Sequence, residues 1–138
     1  MIRQDYILRL IEEFMAALSL FLEKEERERS DEDIRLLYEK YLGDYDTLHN
    51  LSWSEILDYA SSEWPANECI DRIGMIAEIV YAEATFKVGP MRNMLMEKAY
   101  LLLNYIETHG KTFSISRRQK MVELSKVVSK DLDVWELI

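Results

Sequence analysis

Two histidines, one cysteine and 26 carboxylates are the side chains with which this chain could do acid–base, nucleophilic or metal chemistry. His49 and His109 are 60 positions apart, each beside an expected chain break, and no metal-ligand spacing joins them. Asp46 and His49 offer one carboxylate and one imidazole, too few ligands for a closed metal site, so His49 reads as a solvated loop histidine. Cys69 stands near the start of an expected helix, where the dipole favours a thiolate, yet no companion histidine marks it as a nucleophile and it reads as a quiet thiol. There is no phosphate-cradling glycine loop, no nucleophile elbow and no carboxylate pair set apart from ordinary surface acids. The expectation is therefore a protein without catalytic residues, cofactor or metal.

The elements that would position these residues are helical. Apolar residues recur at spacings of three and four from end to end, and no segment sustains the alternation of a strand. The spacing predicts a first helix from Ile2 to about Arg29, with Ile7, Leu10, Ile11, Phe14, Leu18 and Phe21 on one face. Ser30 with Asp33 caps a second helix to about Leu42, burying Ile34, Leu37, Tyr38 and Tyr41. A polar loop then leads to Ser52 and Glu55, which open a short third helix stopped at Trp64 and Pro65. A fourth runs from about Ala66 to Lys87, a break follows at Gly89 and Pro90, and a fifth reaches His109 with stripes at Leu95, Ala99, Leu102, Ile106 and at Met94, Leu101, Tyr105. Ser116 with Gln119 opens a sixth carrying Met121, Leu124, Val128, Leu132 and Trp135. The expected fold class is all-α: one domain over residues 1–138, with five to six helices packed as antiparallel hairpins in a tetratricopeptide-like arrangement.

Composition narrows the function classes. A net charge of −9 over 138 residues repels phosphate backbones and anionic headgroups, which argues against nucleic acid and membrane partners. The apolar run Phe14 to Leu22 is too short to span a bilayer, and the acids on both sides of it are unlike a secretory signal. With a single cysteine, a reducing cytoplasm is the default. Charge is uneven: residues 31–63 hold nine acids and two bases, whereas 114–130 hold five bases and one acid, a pattern suited to pairing within a molecule or between copies.

The span Met75 to Ile106 resembles a tetratricopeptide-type hairpin through Ala77, Tyr81, Ala84 and Ala99. The opening Met1 to Glu13, the run Tyr81-Ala82-Glu83-Ala84 and the segment Lys111-Thr112-Phe113-Ser114 resemble an uncharacterised family of short bacterial all-α proteins classed as a domain of unknown function. That resemblance implies an all-α bacterial protein and carries no catalytic residues to transfer.

The expected role is a non-enzymatic protein-interaction or scaffolding domain that self-associates. Leu8, Met15 and Leu22 widen the apolar face of the first helix beyond what one neighbour covers, which predicts a homodimer through that helix. The competing expectation is that a C-terminal segment with Leu132, Trp135, Leu137 and Ile138 folds back over this flank. Glu78 and Tyr81 are expected to border a groove with Arg92 at its mouth, the place for a small molecule or peptide if the protein is instead a sensor. A small hydrolase is the remaining alternative.

Overall fold

The computed structural model describes the backbone of residues 2–110 and 114–136 and the side chains of 5–110 and 114–128. Its regular structure is helical, as the periodicity demands: α1 (Ile2–Glu23), a short 3-10 turn (Glu26–Glu28), α2 (Asp31–Tyr41), α3 (Tyr45–Asn50), α4 (Trp53–Glu63), α5 (Cys69–Ala84), α6 (Gly89–His109) and α7 (Ile115–Glu136). The described residues thus form seven α-helices, and none of them is long and apolar enough to cross a membrane.

α1 stops six residues before Arg29 because Arg29 itself ends it. The guanidinium folds back and donates to the carbonyls of Lys24 (3.2 Å) and Leu22 (2.8 Å), supplying the orphan acceptors and the cation that a helix C-terminus favours. Its third arm donates to Thr85 Oγ1 at the end of α5, tying the two helix ends together at 2.9 Å. The capping box of α2 is complete in both directions, Asp33 N to Ser30 Oγ and Ser30 N to Asp33 Oδ2, and Ile34, Leu37, Tyr38 and Tyr41 are all buried.

The stretch expected as a loop before Ser52 contains α3. Asp44 accepts from Thr47 N and Thr47 Oγ1, an N-cap whose third residue is threonine and so lacks the Glu or Gln of the box pattern. Leu48, fully buried, gives this short helix its hold on the core. Ser52 and Glu55 then cap α4 reciprocally, and Trp64 before Pro65 ends it.

α5 begins at Cys69, later than Ala66, and is buried nearly all round: Ile73, Met75, Ile76, Ala77, Ile79, Val80, Ala82 and Ala84 lie in the core. It is the hub of the molecule, packed by α1, α2, α4 and α6. α6 returns antiparallel to it after Gly89, whose φ of +62° is a left-handed turn that suits glycine. α6 buries Leu95, Ala99, Leu102 and Ile106 as its first stripe predicts, but its second side is Leu103: Met94 is exposed, and Leu101 and Tyr105 are half-buried. α7 packs on α6 through Leu124 and is capped by Ser114, which accepts from Arg117 N at 3.1 Å, rather than by Ser116. Leu132, Trp135, Leu137 and Ile138, the proposed cover for the α1 flank, lie outside the described side chains.

Candidate functional site

α1 carries an apolar face wide enough to leave material on both sides of its buried seam of Ile7, Phe14, Leu18 and Phe21. On one side, Leu8 and Met15 are 52% and 38% exposed and form one wall of a groove of about 520 Å³. Ile70, Gly74 and Met75 of α5 and Leu103 and Ile106 of α6 make its floor. Ser114, Ser116 and Arg117, at the start of α7, close one edge. Leu22, one further heptad along α1, continues the exposed row. On the other side, Leu20 of α1 and Leu36 of α2 stand exposed beside a second, smaller groove between those helices, a flank that the spacing of the first did not single out.

Carboxylates line the α5 wall of the larger groove. Asp71 is held above the usual carboxylate range by burial and by the neighbouring Glu68. Glu78 is ion-paired to Lys120 of α7. That ammonium also lies 5.5 Å above the Tyr81 ring, and Tyr81 Oη donates to Glu123 Oε2 at 3.4 Å. Glu78 and Tyr81 therefore face the first half of α7, and Glu78 also lines the larger groove. Arg92 is exposed on α6 and offsets only part of the rise that burial and Glu123 impose on the Tyr81 phenol. Three basic residues in the first half of α7 find acids on α5 and α6: Arg117 and Arg118 both bond Glu107, at 2.8 and 2.9 Å, and Lys120 bonds Glu78.

The densest polar chemistry lies elsewhere, at the junction of α2, α3, α5 and α6. Glu83 is only 2% exposed, and both of its oxygens meet His49 Nε2, at 3.0 and 3.1 Å. His49 stacks on Tyr45 at 4.6 Å between ring centroids, and its carbonyl is 3.5 Å from Lys98 Nζ. Burial holds the Lys98 ammonium below its usual range, partly offset by Glu83 and Glu55. The Tyr38 hydroxyl is buried beside this cluster with no protein partner among the described residues, and burial together with Glu83 raises its phenol strongly. Thus His49, expected in solvent, is the partner of a buried acid. The available signal was Glu83 itself, a charge three residues after Val80 on the face of Ile76 and Val80, where it must find a cation or a donor.

The cluster lines neither of these two grooves, and its His49–Glu83 contact ties α3 to α5. Among the described residues no three His, Cys, Asp or Glu side chains converge as a metal site would require. Cys69 Sγ donates to the Ala60 carbonyl at 3.2 Å, and burial and Glu68 raise the thiol despite the helix start beside it. No protein-family model matches the chain, and neither a curated protein nor a solved structure does.

Proposed function

We propose that this chain is a non-enzymatic helical interaction domain that self-associates as a homodimer through α1. The observation that supports it is the row Leu8, Met15 and Leu22, large apolar side chains seven residues apart, exposed along one line and in part bordering a groove. Large exposed apolar side chains gathered in a row beside a groove mark interaction sites, whereas singly scattered ones do not. In this reading the tetratricopeptide-like element is the α5–α6 hairpin alone, since α5 also takes α1, α2 and α4 around it. The protein acts in a bacterial cytoplasm, without nucleic acid or membrane partners. The test is Leu8→Glu combined with Met15→Glu in light scattering: a dimer falls to a folded monomer. A wild-type protein that stays monomeric across a wide concentration range refutes the reading.

A ligand sensor is the second reading, supported by a groove volume within the roughly 300–1,000 Å³ of small-molecule sites and by Asp71 and Glu78 as polar groups along an apolar floor. It requires thermal stabilisation by a small amphipathic ligand that Asp71→Asn abolishes.

A further inference from the structure

The self-association reading leaves open which surface of the second copy meets α1. We propose that it is the outer face of α7, so that α1 of one copy lies antiparallel along α7 of the other. This rests on that reading and adds the identity of the partner surface.

The ridge of α1 beside the groove reads Asp5, Leu8, Glu12, Met15, alternating acid and apolar at spacings of three and four, and all four side chains are exposed. A second copy of the same ridge is a poor match. Laid antiparallel, it sets Leu8 against Glu12 and Asp5 against Met15, placing carboxylates on apolar surface, and a register shift that mates the apolar residues leaves acid facing acid. Neither arrangement mates an acid of the ridge with a cation of the same ridge, and Arg9, exposed beside it, sits four residues after Asp5 and three before Glu12, within reach of both on its own helix.

α7 presents the complementary pattern. Its outward side, opposite the buried Leu124, carries Ile115 and Val122, 65% and 59% exposed, with Arg118 and Lys126 in the same line. Read backwards from Lys126, the order is base, apolar, base, apolar, at spacings of four, four and three. An antiparallel contact then sets Asp5 by Lys126, Leu8 by Val122, Glu12 by Arg118 and Met15 by Ile115. The two ridges are about 15 and 16 Å long, so the four steps stay in register. Arg118 already bonds Glu107 and Glu123 is turned to Tyr81, so Lys126 is the cation on which the charge match depends.

A two-fold axis that makes this contact makes it twice, α1 on α7 and α7 on α1. Apolar burial holds the pair, and the charges set its direction and register.

The test is charge reversal read by sedimentation velocity, with circular dichroism as the check on folding. Asp5→Lys and Lys126→Glu each weaken the dimer, about three- to tenfold in dissociation constant, and the double variant recovers to within about twofold. Dimers unaffected by either single reversal, but broken by Leu8→Glu with Met15→Glu, overturn α7 as the partner surface while self-association stands. A monomeric wild type removes both.

Discussion

At the scale of single residues, His49 and Glu83 are the pair most sensitive to change. Removing one partner of a buried hydrogen-bonded pair leaves the other unsatisfied, and His49→Ala is expected to cost about 1–3 kcal/mol in urea denaturation. Tyr38→Phe goes the other way: it deletes a buried hydroxyl that has no protein partner, and it should be neutral or stabilising by up to about 1 kcal/mol. The titrating groups give opposite signs. Hydrogen bonds from Arg117 and Arg118 hold Glu107 below its usual range, so it contributes stability above that range and loses it as pH falls through and below it. Asp71, raised by burial and Glu68, is stabilising only when protonated and loses that contribution as pH rises through its folded value. Glu107→Gln should therefore destabilise at pH 7 and Asp71→Asn should stabilise, both differences shrinking towards zero in denaturation curves taken against pH once the carboxyl is protonated in folded and unfolded chain alike.

At the scale of elements, the helix ends decide where the chain turns. Arg29 bonds the last carbonyls of α1 and the end of α5 together, and Arg29→Ala should cost about 1–2 kcal/mol in thermal or chemical denaturation. Gly89 opens α6 with positive φ, and a Cβ there meets nothing within 4 Å. The expected loss for Gly89→Ala, about 1 kcal/mol, is thus backbone strain alone. Both capping boxes were readable from Ser30/Asp33 and Ser52/Glu55, because side chain and backbone satisfy each other within four residues. α3 was not, because its Asp44 cap has Thr47 where the box pattern needs an acid or amide, and its hold on the protein is tertiary, through Leu48 and His49.

At the scale of the whole molecule, one long apolar helix is served by neighbours that cover only a narrow seam along it. α1 packs on α2 and α5, and the rows beyond the seam remain available on both sides. If these rows are closed by a second copy, the melting temperature of the wild type rises with protein concentration, since association stabilises the folded state by mass action. That dependence should vanish in the Leu8→Glu, Met15→Glu variant, in differential scanning calorimetry over a hundredfold range of concentration.

The all-α class, both capping boxes, the buried face of α2 and the exposed row Leu8, Met15 and Leu22 follow from the amino-acid order, because helical periodicity and capping act over three to seven residues of chain. Tertiary structure decided what depends on residues far apart. It placed His49 on Glu83, 34 positions away, ended α1 with an arginine that also reaches Thr85, and made α5 the hub that four helices share. It also set Lys120 on Glu78 rather than against the acids of residues 31–63. Local spacing shows that a helix has an apolar face and that a buried acid needs a partner. Which neighbour covers the one and satisfies the other is fixed only when the helices pack.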